Sequence, residues 1–536
     1  MKKLLLILLA ACMMFLIACG TSDTPEPGTA QPSTPGGDRP PSGANLADHI
    51  EVQKDGHMVA VINPFVPAGN TGPTQWTFTM IYDRLIRWIE ETDEYLPQLA
   101  ERWETTDYRH FTFHLRNDAV FHNGDRFTAE DVAATIRIAQ EHPGTIGFDR
   151  WRSVESVNIP DPYTIEITLD DVNVGFLFEI ANPSAGILNE AAFLADSERG
   201  TWIGTGPFRV TGFNTNDFVT MERFDDYWGE APPTRSITLR WVPEPAARLM
   251  MMENGQSQIG FGITPEDLDL LVADPNFTVL PARQNNPQAL GFNMADPLMS
   301  NIDFRKAIFH ALYLPPIGLA AAGENGAEPP QEGNIWGFIT PNRHTGIPLW
   351  EHNLDLARQH LASSPYVPGE VIEIVTQAGT FGRATELVQH QLRQIGLETE
   401  IRILDGPSFN EYVRFGANQS QLHVFTLSTT LNPITNVLNT FTPAGGANRY
   451  SYDNPVVSDL IERARVNPDA DERNALLLQI QDVLNADPPA INMYWRVGGV
   501  ATVNGIGGVR VSVIPMLHNL RGAYWDLDQT PANLRP

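Results

Sequence analysis

The histidines of the sequence are the first residues whose spacing could support chemistry. His110, His114 and His122 lie close together in the chain, but they do not form the His-Glu-x-x-His pattern of a zinc site. His110 and His114 flank a predicted strand, in which alternate residues point to one face. Both rings could therefore share a face of a sheet, and a solvated strand face accounts for them better than a metal does. We predict no metal site and no cofactor.

Adjacent carboxylates are the second candidates. Asp225 and Asp226 are neighbours in the sequence, as are Glu90 and Glu91, so the two side chains of each pair tend to diverge. They are interpreted as surface charge rather than as an acid–base pair. The chain also contains no Gly-x-Ser-x-Gly nucleophile elbow and no dinucleotide fingerprint after a strand. These patterns favour a binding protein over an enzyme.

Two glycine-containing stretches could be mistaken for binding loops. Residues 121–125 are polar, but the Asn-Gly pair within them is typical of a tight turn between a strand and a helix. Residues 204–207 contain two glycines without the lysine and the spacing of a phosphate loop. We expect a structural turn at the first stretch and a shaped backbone segment at the second.

Strands and helices alternate around these residues. Apolar and polar residues alternate at 111–116, 163–169, 218–224 and 236–242, a period that predicts half-buried strands. Because these strands are interleaved with helices, the pattern indicates a mixed α/β fold.

Helix boundaries have clear signals. Thr128 followed by Asp131 predicts a capping box, and Thr264 before Pro265 predicts a second helix start. An apolar stripe over 384–395 stops at Gly396, and another over 476–484 stops at residues 487–489, which include two prolines.

Cys19 is the residue with the most specific chemical pattern. It follows Leu16-Ile17-Ala18 at the end of an apolar run that begins after Lys2-Lys3, which is typical of a secretory signal. A cysteine in this setting resembles a bacterial lipobox, which implies cleavage before Cys19 and lipid on its sulfur. Residues 1–19 are therefore predicted to be a lipoprotein signal peptide. The alternative is an ordinary signal or an uncleaved anchor.

Composition limits the remaining possibilities. Lys and Arg number 36 against 64 Asp and Glu, and the resulting net charge of −28 argues against nucleic acid as a partner. The only cysteines are Cys12 and Cys19, so a mature protein would contain no disulfide and no thiolate site. Residues 20–46 are rich in Thr, Ser, Pro and Gly and are predicted to form a disordered tether. A chain of 536 residues predicts two or three domains.

The order of several motifs identifies a family. The motifs are Tyr82–Ile86, Tyr95–Trp103, Phe111–Arg116, Val120–Asp125, Phe127–Val132, Gly204–Phe208, Leu290–Asn293, Phe304–Ile308, Gln394–Leu397 and Met493–Arg496. In this order they resemble the extracellular solute-binding proteins of ABC importers for peptides and nickel. The lipobox agrees with this resemblance independently.

The resemblance implies a bilobed, periplasmic-binding-protein-like α/β fold with two discontinuous lobes, a hinge and an extra subdomain on the first lobe. Lobe crossings are expected near Phe292 and Tyr494. A ligand would bind between the lobes, because pockets favour such clefts and hinge closure buries them. The predicted boundaries are residues 47–74, 197–289 and 497–536 for lobe I, 75–196 for its extension subdomain and 290–496 for lobe II.

The resemblance also points to ligand contacts. Trp336 lies in a stretch similar to the family's cleft-facing segment, and Tyr494, Trp495 and Arg496 lie where a hinge strand is expected. Arg496 could form a two-pronged contact with a carboxylate or phosphonate of a ligand. For each of these residues, packing or a surface salt bridge is an equal alternative.

Asn432 marks a departure from the family pattern. Peptide-binding members usually hold an aspartate just before the matching proline, where it pairs with the α-ammonium of a peptide. Residues 426–433 contain no acid here, and burying an ammonium without a counter-charge is costly. Asn432 could instead bond a neutral amide, hydroxyl or carbonyl. The alternative is that another acid, such as Asp405, pairs with the ammonium.

The predicted function is that of a monomeric extracytoplasmic receptor of an ABC importer. It would capture a peptide or peptide-like solute between its lobes and deliver it to the membrane permease, while lipid attaches it to the cell membrane. The alternatives are a receptor for a metal chelate, a glycoside or an opine-like compound, and a secreted enzyme.

Overall fold

The computed structural model describes most of the chain from residue 39 onward. The prediction of a disordered tether up to residue 46 is wrong at its end, because Leu46 forms a bridge with Asp526 and the Asn45 carbonyl accepts a hydrogen bond from the Leu527 N–H. The described residues are 39–54, 75–89, 92, 94–143, 146–214, 217–284, 286–333, 344–414, 416, 418–427, 433–512 and 519–535. Within them, no helix is both long enough and apolar enough to span a bilayer.

The strands are numbered in chain order. They are β1 His49–Lys54, β2 Ile86–Ile89, β3 Glu94–Pro97, β4 Ala100–Glu104, β5 His110–Leu115, β6 Val154–Asp161, β7 Thr164–Leu169, β8 Phe208–Asn214, β9 Phe218–Arg223, β10 Ser236–Trp241, β11 Ile259–Phe261, β12 Phe277–Arg283, β13 Gln288–Phe292, β14 Ala327–Glu328, β15 Val371–Thr376, β16 Glu398–Ile403, β17 Leu422–Thr426, β18 Ala490–Val503, β19 Ile506–Gly507 and β20 Tyr524–Trp525.

The helices are numbered in the same way. They are α1 Gln75–Ile81, α2 Ala129–Gln140, α3 Ile146–Trp151, α4 Phe176–Ile180, α5 Glu190–Ala195, α6 Ser197–Gly200, α7 Pro245–Glu253, α8 Pro265–Ala273, α9 Ile302–Ala311, α10 Pro315–Gly326, α11 Leu354–Ser363, α12 Thr380–Arg393, α13 Gly406–Tyr412, α14 Pro433–Phe441, α15 Pro455–Arg465 and α16 Ala470–Ala486.

Local signals in the sequence explain where these elements begin and end. Thr128 and Asp131 form the predicted capping box at α2, with the Thr128 N–H donating to the Asp131 carboxylate at 2.9 Å. Thr264 caps α8 by accepting a bond from the Asp267 N–H. Gly396, just beyond α12, has φ of 82°, the left-handed conformation that favours glycine. The predicted helix boundaries are confirmed at these positions.

One twelve-stranded sheet connects the two halves of the molecule. Its order is β16-β15-β17-β13-β18-β11-β1-β10-β9-β8, and β12 and β14 also pair with β18. The long strand β18 pairs with β13 through residues 490–494 and with β12 through residues 497–503. A single strand is therefore hydrogen-bonded on both sides of the lobe crossing.

Separate hydrophobic cores lie along this sheet. The first-lobe core contains Ile50, Phe208 and Trp525, which come from distant parts of the chain. The second-lobe cores lie around α9, α12, α15 and α16. Because first-lobe residues come from the beginning, middle and end of the chain, this lobe is discontinuous.

The extension subdomain has its own sheet, β4-β5-β7-β6, and its own core around Phe111, Trp151 and Ile167. Its β5 face is solvated as expected. His110 contacts Asp107 at 2.7 Å and His114 lies 3.5 Å from Glu104. Among the described residues, no group of three or more His, Cys, Asp or Glu side chains could hold a metal.

The two glycine-containing stretches have structural roles. Gly124 has φ of 90° in the turn between β5 and α2, which confirms the predicted turn. Gly204 and Gly206 approach the backbone of Ile81 so closely that a Cβ at Gly204 would lie 2.0 Å from the Ile81 carbonyl oxygen. The second stretch is thus a shaped backbone segment that packs on the end of α1.

Candidate solute-binding cleft

Two antiparallel chain segments form the lobe crossing. One is the connection from β12 to β13, and the other is the middle of β18. Gln288 pairs with Tyr494 and Arg283 with Val497, while the Gln284 N–H donates to the Arg496 carbonyl at 2.8 Å. Since main-chain bonds hold both segments in register, the crossing can bend without losing its pairing.

Tyr494 is part of the second-lobe core. Its side chain is 1% exposed, and a Cβ added at Gly318 of α10 would lie 3.0 Å from its Cβ. Burial raises the pKa of Tyr494 to about 12, so its phenol stays protonated at neutral pH. The structure therefore gives Tyr494 a packing role at the crossing, and a contact with ligand stays a prediction.

Trp495 and Arg496 follow on the same strand and point to opposite faces. Trp495 is 5% exposed, and the Arg283 guanidinium lies 5.0 Å from the centre of its ring. Arg283 also contacts the Glu328 carboxylate at 3.1 Å. Arg496 is partly exposed, which leaves it the most accessible of the three predicted hinge contacts. Ligand binding by Trp495 and Arg496 stays a prediction.

The other predicted site residues, Trp336 and Asn432, lie outside the described residues, as does Cys19. The chain leading to Asn432 is described as far as Leu427. There the Gln288 Nε2 donates to the Thr426 Oγ1 at 3.0 Å, and the Leu427 N–H donates to the Pro287 carbonyl at 2.9 Å. These bonds fasten the end of β17 to the crossing.

Asp405, the alternative partner for a ligand ammonium, has a local structural role. It is the N-cap of α13 and accepts bonds from the Ser408 N–H and hydroxyl. These hydrogen bonds lower the pKa of the exposed Asp405 carboxyl. An exposed helix cap already occupied by its own helix is a poor counter-charge for a buried ligand.

A cavity of about 250 Å³ separates the extension subdomain from the second lobe. One wall comes from the segment after β7 and the start of α4, and the other comes from α14 and the end of α15. Its charged lining is Arg152, Asp170, Asp171, Glu179 and Arg465. Both signs of charge are therefore present around one inter-lobe space.

An ion pair bridges the two walls of this cavity. The Arg465 guanidinium lies 3.1 Å from the Asp171 carboxylate and 3.5 Å from the Val172 carbonyl. The Val172 N–H and Arg465 together lower the pKa of Asp171. Val174 packs against a second-lobe core beside them. These contacts connect the extension subdomain to the second lobe.

Sequence reasoning missed this bridge, although a signal was present. Asp170 and Asp171 directly follow the strand predicted at 163–169, where a strand end brings polar groups to the edge of a sheet. The partner, Arg465, ends a helix almost three hundred residues later, at a separation of 294 positions. No spacing rule within the sequence connects the two.

Comparison with known proteins decides the family. The model of the bacterial extracellular solute-binding proteins, family 5, matches residues 94–448 of this chain. The chain belongs to this family.

Relatives of this family-5 protein include the glutathione-binding protein GsiB of Escherichia coli K12. It is 25% identical over 415 residues, which cover 73% of this chain and 79% of GsiB. Among solved structures, the Helicobacter pylori periplasmic binding protein DppA in complex with the peptide STSA has a TM-score of 0.73. It is 21% identical and covers 90% of this chain and 98% of that one.

The substrate-binding protein CtaP of Listeria monocytogenes has a TM-score of 0.80 at 19% identity, with coverage of 90% and 100%. These similarities confirm the predicted bilobed fold with its hinge and extra subdomain. The family is one of extracellular binding proteins, so this member works outside the cytoplasm. The residue numbers of the lobe boundaries stay predictions.

Proposed function

We propose that the protein is the solute receptor of an ABC importer, and that it captures a peptide or peptide-like solute between its lobes. The observation that carries this proposal is β18, one strand that is paired in both lobes. Such a strand allows the lobes to close around a solute while the sheet stays intact. The glutathione- and peptide-binding relatives support the peptide-like class.

The solute would meet polar groups of both signs. The cavity is lined by Glu179 and Arg152 beside the Asp171–Arg465 ion pair, and a lining with charges of both signs suits a zwitterionic or amide-rich molecule. The acid-free segment at residues 426–433 favours a solute that does not depend on a free ammonium near Asn432. A metal chelate, a glycoside or an opine-like compound is the alternative solute.

Delivery requires a partner in the membrane. We propose that the closed receptor binds an ABC permease as a monomer, and that lipid on Cys19 keeps it at the outer face of the membrane. The part of the predicted tether that precedes residue 39 would supply the reach between lipid and fold. The net charge of −28 disfavours direct attachment to an anionic lipid surface, so the lipid would carry the anchoring.

Native mass spectrometry of protein purified from its own host tests the proposal. We expect a bound small molecule whose removal lowers the melting temperature and whose return restores it without turnover. Small-angle scattering should then show a smaller radius of gyration when that molecule is added. A molecule that binds tightly without compaction, or one that is converted chemically, would overturn the receptor assignment.

A further inference from the structure

Helix α10 is interrupted close to its C-terminal end. Gly323 has φ of 74° and ψ of −177°, a conformation that is open to glycine and to almost no other residue. The backbone therefore changes direction between residues 315–322 and residues 324–328, and the second stretch contains the end of α10 and the strand β14. We call residues 324–328 the clasp, because they contact the first lobe in the two ways described below.

The part of α10 before Gly323 is fixed to the second lobe. Ile317, Ala321 and Ala322 are buried in a second-lobe core. The Ala321 carbonyl also accepts bonds from the Arg383 guanidinium of α12 at 2.6 and 3.0 Å. Because this part of the helix is closely packed, it should move with the second lobe as one body.

The first contact of the clasp is with α8, a helix of the first lobe. Leu268 and Leu271 fix α8 in a core that also contains the end of β18. The Asn325 Nδ2 donates to the Asp269 Oδ1 of this helix at 2.6 Å. A Cβ added at Gly323 would lie 3.2 Å from the other carboxylate oxygen of Asp269, so the interruption itself lies against α8.

The second contact of the clasp is with the crossing. Strand β14 pairs with residues 495–496 of β18. The Glu328 carboxylate lies 3.1 Å from the guanidinium of Arg283 in β12, and this guanidinium lies 5.0 Å from the centre of the Trp495 ring. β14 is therefore a further backbone segment at the crossing, beside β18 and the connection from β12 to β13.

We propose that the clasp is a third hinge segment, which is held by side chains of the first lobe and pivots at Gly323 when the lobes move. Hinges are a few positions that absorb large changes of φ and ψ, and a glycine at the end of a helix has this freedom. Asn325 and Glu328 then favour the lobe arrangement in which both of their contacts form. Neither residue lines the described cavity between the extension subdomain and the second lobe.

The clasp would act on solute affinity from outside the solute site. The apparent affinity of a receptor is reduced by the fraction of molecules that are not in the binding-competent arrangement. Since the contacts of the clasp are partly exposed, each should change the ratio of lobe arrangements only about two- to fivefold. The clasp does not depend on the receptor function, and its tests contain no solute, so their failure would leave the receptor proposal unaffected.

Pulsed electron paramagnetic resonance between two spin labels tests the pivot. With Cys12 and Cys19 replaced by serine, the chain contains no other cysteine, so labels attach only at introduced ones. Suitable positions are Asp225 in the first lobe, 86% exposed, and Asp355 in the second lobe, 90% exposed, together with Glu324 of the clasp.

The distance distribution between Asp225→Cys and Glu324→Cys should be narrow, because both labels follow the first lobe. The distributions from Asp355→Cys to either of these labels should be broader. If the distribution between Asp225→Cys and Glu324→Cys is as broad as the distribution between the lobes, or if all three have equal width, the proposal is overturned.

The pair of labels at Asp225 and Asp355 also tests what holds the clasp. Asp269→Ala and Glu328→Gln should each broaden the distribution between the lobes. Adding Asn325→Ala to Asp269→Ala should broaden it no further, because both substitutions remove the same bond.

Gly323→Ala should also alter the distribution, because alanine disfavours the conformation of the pivot. Glu324→Ala, at an exposed position between the pivot and Asn325, is the matched control and should leave the distribution unchanged. If Asp269→Ala and Glu328→Gln do not change the distribution, or if Glu324→Ala changes it equally, the proposal is overturned.

Discussion

The guanidinium of Arg521 lies 3.0 Å from the carboxylate of Asp83, although 438 positions separate the two residues in the chain. Asp83 is 0% exposed and also accepts bonds from Gln98 and Trp228. Arg521 donates further bonds to the carbonyls of Thr79 and Tyr82. The pair thus fastens the C-terminal segment to the junction of the first lobe and its extension.

Asp83→Asn should be strongly destabilising. The substitution keeps the shape of the side chain but leaves the Arg521 charge without its buried partner, a loss of about 3–5 kcal/mol. Urea unfolding followed by circular dichroism measures the effect. Asp225→Asn, at a carboxylate that is 86% exposed, is the control and should change stability by less than about 0.5 kcal/mol. Equal stability of the two variants would contradict the importance of the pair.

His122 should make stability depend on pH. Its Nε2 donates to the Gly206 carbonyl at 2.9 Å and its Nδ1 accepts from the Gly204 N–H at 3.3 Å, so the half-buried ring is neutral. Burial lowers the pKa of His122 to about 4, below the value of about 6.5 in an unfolded chain. The folded state then binds fewer protons, so stability is lost as the pH falls from about 6.5 to about 4.

The pH experiment needs a comparison of variants, because Asp131 acts in the opposite direction. Burial raises the pKa of Asp131 to about 6. The stability that its protonated carboxyl contributes to the folded state is therefore lost as the pH rises from about 4 to about 6. When the pH falls from 7 to 5, the free energy of unfolding should decrease by about 2 kcal/mol less in His122→Gln than in the unmodified protein. His390→Gln, at an exposed position of α12, is the control, and its stability should change with pH as that of the unmodified protein does. Parallel curves for His122→Gln and the unmodified protein would refute the assignment.

Arg465→Ala should loosen the contact between the extension subdomain and the second lobe. The substitution removes the bond to Asp171, and a partly exposed pair of this kind contributes up to about 1 kcal/mol. Solute affinity should therefore fall less than about tenfold, and the radius of gyration without solute should rise. Arg463→Ala removes an ion pair within the same helix, with Asp459, and serves as the control. If the two variants have the same radius of gyration, the Arg465–Asp171 ion pair does not hold the extension subdomain against the second lobe.

Matched free and N-acetylated peptides should bind with similar affinity. The reason is the acid-free segment at residues 426–433, where an uncompensated ammonium would cost several kcal/mol. Calorimetry on each pair of peptides measures the difference, and Asn432→Asp should improve binding of the free amine if Asn432 faces the site. Much tighter binding of the free amine to the unmodified protein would mean that another acid pairs with it.

Cys19→Ser should abolish lipid attachment. Without the thiol, the protein should be released or remain as uncut precursor, because the sulfur is the predicted acyl acceptor. Intact-mass measurement of the unmodified protein should show a chain that begins at Cys19 and carries acyl mass. A mature form that begins elsewhere without acyl mass would refute the lipobox assignment.

The fold was more predictable from the sequence than the site was. The Thr128 capping box, the stop at Gly396 and the alternating strand at residues 111–116 depend on neighbours in the chain, and the structure confirms each. The pairs Asp83–Arg521 and Asp171–Arg465 depend on positions hundreds of residues apart. Local periodicity carries no information about such pairs.

Tyr494 shows the same limit of prediction from local sequence. Its place on the crossing strand followed from the resemblance, but whether the ring faces the cleft or the core depends on α10. The small Gly318 lets the helix approach the strand there, and only the packed structure reveals that. Whether a side chain on a strand is buried depends on the element that packs against that face as well as on the strand. The sequence of the strand alone therefore cannot specify it.

The position of β18 near the end of the chain has a consequence for biosynthesis. The central strand of the sheet consists of residues 490–503, so β11, β12 and β13 lack their shared neighbour until synthesis has passed residue 490. Pairings between segments so far apart form slowly, because a long loop must close before the contact is gained. If the predicted signal peptide directs export of the unfolded chain, this delay would favour passage through the membrane, since early compaction would block it.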